Sequence, residues 1–138
     1  MGYLVRRSTN ALLLTQLQVE CLPGDDPITV EDHDQWWVVW LDKQPVGFAA
    51  LRPCQGHPTM GYLARAGVAP EHRGRGLQRR LIKVRENAGR RRGMAVMVTD
   101  THLTNHASSN NLIRCGYRLY EPGGRWAFGD GLYWLKHL

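Results

Sequence analysis

Long apolar runs are missing from this 138-residue chain: the longest, Trp36 to Leu41, has the length of a strand, far short of the ~18 to 20 residues a membrane helix needs. Cysteine is scarce. Cys21, Cys54 and Cys115 are odd in number and contain no C-x-x-C, which excludes a disulfide framework and a cysteine zinc site and leaves buried thiols as the expectation. The histidines are scattered, only His102 and His106 stand at the i, i+4 spacing of a metal pair, and no Glu lies between them, so no metal is expected. The opening Met-Gly-Tyr-Leu-Val-Arg has neither the apolar core of a secretory signal nor the Ser or Thr of a myristoylation pattern, so a cytoplasmic location is expected. Most unusual is the lack of any Lys or Arg from Ser8 to Asp42.

What is present fits a globular protein: 43% apolar and 22% charged residues, enough for one core, so residues 1–138 are expected to form one domain. The net charge of +6 is divided unevenly. Seven acids (Glu20, Asp25, Asp26, Glu31, Asp32, Asp34, Asp42) occupy the segment without bases, whereas Arg73 to Arg92 holds nine Arg or Lys against Glu86 alone. A protein that only coats nucleic acid has little use for the acidic third. An enzyme joining an anionic cofactor to a cationic acceptor uses both, although a solvated helix face plus an acidic loop gives the same count.

Hydrophobic periodicity predicts the elements. Tyr3 to Arg6 is a short strand, Ala11 to Leu22 a helix with Ser8, Thr9 and Asn10 as cap candidates, and Pro23-Gly24 stops it. The acidic segment from Gly24 to Asp34 is loop or a short helix. Trp36 to Leu41 and Val46 to Leu51 pair as a hairpin across Asp42-Lys43-Gln44-Pro45, and Met60 to Val68 is the next strand. Leu77, Leu81, Val84 and Ala88 form the apolar stripe of a following helix, with Arg79, Arg80, Lys83 and Glu86 pointing elsewhere. Met94 to Val98 then returns as a buried strand parallel to Met60 to Val68, a βαβ unit. A short helix from Ser109 to Cys115 stops at Gly116, Tyr117 to Tyr120 is a strand, Pro122-Gly123-Gly124 turns the chain, and Leu132 to Leu135 closes it. The fold class is α/β: a mixed central sheet of about six to seven strands flanked by helices.

The sharpest motif runs from Val68 to Leu81, where a strand, the turn Glu71-His72-Arg73-Gly74-Arg75-Gly76 and a helix start follow one another. Backbone amides at such a start have no intrahelical partner and, with the helix dipole, attract anions, while glycines let a phosphate approach. It is neither a Walker loop, which needs GxxxxGK[ST], nor a dinucleotide GxGxxG, because Arg79 stands where the third glycine belongs. Taken alone, the turn also fits a plain connection or an Arg-Gly segment on RNA.

Arg73-x-x-Gly76-x-Gln78, preceded by Val68-x-Pro70 and followed by Leu81, resembles the pyrophosphate loop of the GNAT family of acetyl-CoA-dependent N-acetyltransferases, with Gln78 in place of the family's small residue. Asn105-x-x-Ser108 followed by Leu112-Ile113-Arg114-Cys115-Gly116-Tyr117, and the closing Leu132 to Lys136, are similar to later segments of that family. The resemblance implies a single GNAT domain using acetyl-CoA as cosubstrate and no metal. Backbone groups of Arg73, Gly74, Arg75, Gly76 and Gln78 would hold the pyrophosphate. The strand end from Ala66 to Val68 would pair with the pantetheine arm and polarise the thioester, Asn105 and Ser108 would contact the arm from the other side, and Arg75, Arg79 or Arg80 would reach the 3′-phosphate. The acceptor side would be built by the first helix, the loop Gly24 to Asp34 and the connection Glu121 to Gly131.

The implied reaction is direct attack of a primary amine on the acetyl carbonyl, with a base taking its proton. Here the chain departs from the family: Leu112 occupies the place of a tyrosine that many members use as acid, and no acid lies on the strand Met60 to Val68. Glu31, Asp32 and Asp100 are the candidate bases, with Tyr117 and Tyr120 the nearby phenols. The acidic segment favours a cationic acceptor, a small molecule or a protein amine, with the protein a monomer or homodimer and neither membrane nor nucleic acid as partner. The competing expectation is a non-catalytic GNAT-like domain that senses acyl-CoA or binds nucleic acid through Arg73 to Arg92.

Overall fold

The computed structural model of the chain describes residues 2–122 and 131–138. Strands β1 (Tyr3–Arg7), β2 (Gln35–Leu41), β3 (Gln44–Pro53), β4 (Met60–Val68), β5 (Val96–His102), β6 (Arg118–Leu119) and β7 (Gly131–His137) form one sheet, and helices α1 (Ala11–Cys21), α2 (Leu77–Arg91) and α3 (His106–Arg114) cover it. The strand order is β1-β2-β3-β4-β5-β7-β6, with β4 and β5 parallel and every other neighbouring pair antiparallel. The expected mixed sheet and βαβ unit are both present. Gly123-Gly124 of the expected turn, and most of the connection Glu121 to Gly131, lie outside the described residues. No helix among the described residues is long and apolar enough to cross a membrane.

β2 is buried on both faces because Trp36 and Val38 point to one side and Trp37 and Val39 to the other, the alternation of a pleated strand. On one side Leu14, Leu17 and Cys21 of α1 pack on Trp36, Val38 and Phe48. On the other, Leu77, Leu81, Ile82 and Ala88 of α2, with Leu112 of α3, close over Val39, Leu51, Leu63, Met97 and Trp134. Each fully buried Leu or Phe contributes about 1.5–3 kcal/mol, so the helices are held to the sheet by area rather than by loop contacts.

Three departures from expectation have a local reason. α3 begins at His106 rather than Ser109, because the Asn105 side chain caps it by accepting from the Ser108 amide at 3.2 Å. β5 continues past Val98 through Thr99-Asp100-Thr101-His102, since its pairing with β7 extends to His102↔Gly131 and does not depend on apolar side chains. Glu86, expected on the outer face of α2, is buried. It accepts from the Tyr117 hydroxyl at 2.8 Å and pairs with Lys136 at 3.0 Å, and these partners make its burial tolerable.

The feature that positions the site is a fork. β4 and β5 pair only over Met60–Tyr62 and Val96–Val98, and from Leu63 onward β4 keeps β3 as its neighbour while β5 keeps β7. Register in the β3–β4 pair shifts between Ala49 and Leu51, bending β4 at the level where it leaves β5.

Candidate active site

A cleft of about 700 Å³ occupies the fork. Five consecutive residues of β4, Tyr62 to Ala66, line it. Residues on both faces of one strand can do so only where the neighbouring strand has moved away. From β5 come Thr99 to His102, from α3 Ser108, Asn111 and Leu112, and from the loop after α1 the residues Asp25, Ile28 and Glu31.

At one end of the cleft the chain turns through Arg73-Gly74-Arg75-Gly76 into α2. Gly74 and Gly76 both have φ +77°, a conformation that costs an L side chain ~1–2 kcal/mol. Gly76 is the N-cap, without a capping side chain, and the first bond of the helix is Arg80 N–H to Gly76 O at 3.1 Å. The six amides from Gly74 to Arg79 therefore donate to no group among the described residues. They stand at the positive end of a 15-residue helix, where an anion gains from both the donors and the dipole. The Arg73 side chain takes no part in this row: its Nε donates to Val68 O at 2.9 Å and its Nη2 to Cys21 O at 3.0 Å, tying the turn to β4 and the end of α1. Arg75 and Arg80 lean on Tyr3, through its hydroxyl at 3.1 Å and its carbonyl at 2.7 Å.

Across the fork, Tyr62 donates its hydroxyl to Asp100 Oδ1 at 2.5 Å. Burial, then the bond to Asp100 and its charge, push the Tyr62 phenol well above its ordinary range, so it stays a donor at neutral pH and the carboxylate is the acceptor. The neighbouring Tyr120 is also raised, first by burial. At the mouth Arg52 holds buried Asp34 with two nitrogens, Nη2 at 3.0 Å and Nε at 3.1 Å, and Arg65 donates to the Asp26 carbonyl. Trp36 Nε1 lines the same wall and is the buried side-chain nitrogen or oxygen left without a partner among the described residues. Such an orphan costs ~1–3 kcal/mol unless a bound molecule satisfies it.

Under the fork lies a group the sequence reading passed over. Arg85 of α2 is 3% exposed. Its Nη1 donates to the carbonyls of Ala50 and Ala64, both at 3.1 Å, and its Nε to Leu81 O at 3.1 Å. Thr99 similarly caps Leu63 O at 2.8 Å, so the first two β4 carbonyls beyond the paired stretch are already taken.

The sequence-derived residues divide accordingly. Ala66, Gln78, Asn105, Ser108, Glu31 and Asp100 line the cleft, and Gly74, Arg75 and Gly76 form the turn at its end. Val68 and the Arg73 side chain belong to the packing behind it, Val68 buried against Leu77 and Leu81. Tyr117 is a correction: its hydroxyl is committed to Glu86 in the core on the α2 side, so this phenol faces no cleft. Of the seven acids before Lys43, Asp25 and Glu31 line the cleft, Asp34 is held by Arg52, and Asp42 sits in the β2–β3 turn. Asp32 is exposed and does not line it. Tyr62 and Arg85 were the missed residues, yet both carried a signal. Tyr62 alternates with Ala64 and Ala66, and Arg85 stands four residues from Leu81 on the apolar stripe.

The family model described as the acetyltransferase (GNAT) family matches residues 9–117. No curated protein matches the chain by sequence. Among solved structures, the chain is similar to an IAA acetyltransferase from Bacillus cereus, with a TM-score of 0.82, 14% identity, and 99% of this chain and 100% of that one covered. It is similar to yncA from Salmonella typhimurium, solved with its cofactor acetyl-CoA, at a TM-score of 0.76 and 19% identity over 99% and 94% of the two chains. A third likeness is to the ribosomal-protein-S18-alanine N-acetyltransferase from Escherichia coli, with a TM-score of 0.77, 12% identity, and 97% and 92% covered.

Proposed function

The chain belongs to the acetyltransferase (GNAT) family, and on that premise we propose that it moves the acetyl group of acetyl-CoA to a primary amine by direct attack, with residues 1–138 as one catalytic domain. The observation that carries this reading is the row of six uncommitted amides, Gly74 to Arg79, at the end of a cleft flanked by a strand edge that its neighbour has left. Acetyl-CoA supplies an activated thioester carbonyl. The amides would hold its pyrophosphate, Ala66 with Asn105 and Ser108 would flank the arm, and the split strands leave room for the arm between them.

Asp100 is the base this geometry favours over Glu31. It sits inside the cleft, and Tyr62 occupies Oδ1, which fixes the carboxylate and leaves its second oxygen for an amine proton. A cationic acceptor is supported by Asp25, Glu31 and Asp100 in the cleft lining, which outnumber Arg65 and Arg85 once the Arg52 charge is offset by Asp34.

The test is release of free CoA thiol across a panel of amines. Turnover is expected, with polyamines and basic peptides ahead of neutral or anionic amines, and an inert protein with every amine would overturn the assignment. Gly76→Glu adds bulk at a φ of +77° and a like charge at the amide row, and should abolish acetyl-CoA binding; retained affinity would remove the pyrophosphate from this turn.

A further inference from the structure

Among the described residues three arginines line the cleft, and two are accounted for. Arg52 is matched by Asp34, and Arg65 lies at the rim on the Asp26 carbonyl. Arg85 is different. Its partners are three carbonyls and no carboxylate, since the adjacent Glu86 is engaged by Tyr117 and Lys136. Burial lowers its pKa to about 10, which leaves it charged at neutral pH in a place that disfavours charge. Nε and Nη1 are used, whereas Nη2 has no partner among the described residues. It is not sealed inside the core, and this end of the guanidinium keeps access to the cleft that Arg85 lines.

The neighbouring walls narrow what Arg85 is for. Thr99 is spent on Leu63 O, Thr101 is held by Ser109 and Trp134, and Leu112 and Ile82 are apolar. Among the described residues that line the cleft, Arg52 and Arg65 are held at the mouth, which leaves Arg85 as the cation beneath the fork. On the reading above, acetyl transfer forms the new N–C bond and breaks the C–S bond with its electron pair going to sulfur, while the amine proton goes to the Asp100 side. The products are the amide and a CoA thiolate, formed in the fork. We propose that Arg85, through Nη2, stabilises this departing thiolate by charge, in a chain whose cleft wall is leucine at position 112. The bulge carbonyls of Ala50 and Ala64 hold the guanidinium in advance, so little reorganisation is needed when negative charge develops.

The inference rests on acetyl-CoA binding, and its test is chosen to fail separately. The pH at which the thiol of CoA ionises is followed by its ultraviolet thiolate absorbance, free and bound to the intact protein. In the wild type the bound thiol is expected to ionise at least about one pH unit lower than free CoA, as beside any fixed cation. Arg85→Lys should keep part of that shift and Arg85→Met lose it, with affinity for the neutral thioester changed by less than about threefold, because a full charge interacts far more strongly with the thiolate than with the neutral thioester. A wild-type protein that turns over acetyl-CoA yet leaves the thiol at its free value would overturn this inference and spare the function. That measurement needs no variant, so a misfolded Arg85→Met does not decide the matter. A wild type that binds no acetyl-CoA overturns both.

Discussion

Tyr62 is the last residue of β4 that pairs with β5, and its hydroxyl reaches Asp100, two residues beyond its partner Val98, so a side-chain bond follows the ladder where the strands part. Asp100→Asn should lower kcat by about 10²- to 10⁴-fold, the usual worth of a general base, with acetyl-CoA affinity unchanged in a titration. Tyr62→Phe should lower it only several-fold. Close packing governs a second residue: a Cβ on Gly67 would lie 2.7 Å from Cys21 Cβ and 3.1 Å from Phe48 Cε1. Gly67→Ala should therefore cost about 1–3 kcal/mol, seen as a lower melting temperature. At this scale the sequence was readable where backbone chemistry decides, as at Gly74 and Gly76, which both take a positive φ. It was opaque at Arg85 and Glu86, because a charge on a helix is expected outward and only the partners waiting inside reverse that expectation.

Elements were legible where apolar spacing is regular: the stripe of α2 and the residues of β4 emerged as expected, while β3 and β7 run longer than their apolar cores, β6 is shorter, β5 extends past Val98 and α3 starts before Ser109. Polar strand residues and side-chain caps carry no apolar period, which is why both ends were short. Within α2 the critical part is its start. Gly76→Ala puts a Cβ where φ is +77°, with no clash nearer than Arg79 at 3.6 Å, so its cost is conformational. We expect a loss of ~1–2 kcal/mol in denaturant melts. Acetyl-CoA should bind more weakly, since the first-turn amides shift with the helix end.

At the scale of the molecule, β1 to β4 and β5 to β7 are joined in the sheet by three residue pairs, Met60↔Val96 to Tyr62↔Val98. A ligand held by both halves should raise the unfolding free energy by about 2.7 kcal/mol at a hundredfold excess over its Kd, and should slow hydrogen exchange of the β4 amides from Leu63 to Ala66. Alkaline pH acts in the opposite direction. The Tyr62 and Tyr117 phenols are raised by burial, and the Cys21 thiol is pushed up to about 11, so the folded protein holds protons that the unfolded chain releases above the ordinary thiol and phenol values, near 9 and 10. Stability should be level up to about pH 9 and fall beyond it, measured as a declining urea midpoint. The whole-chain charge imbalance was plain in the sequence, but only folding shows that the acids are dispersed and two of the seven reach the cleft.

A strand parted from its neighbour along two-thirds of its length also works as a gauge. The run from the splice at Tyr62 to the helix start at Leu77 is built of main chain, tight turns and packed aliphatics, so its span cannot be altered by exchanging one surface side chain. A guest anchored at its phosphate end must therefore present its reactive carbon at a set reach. Homologous thioesters with a lengthened or shortened linker should be turned away by distance alone, whatever acyl group they carry.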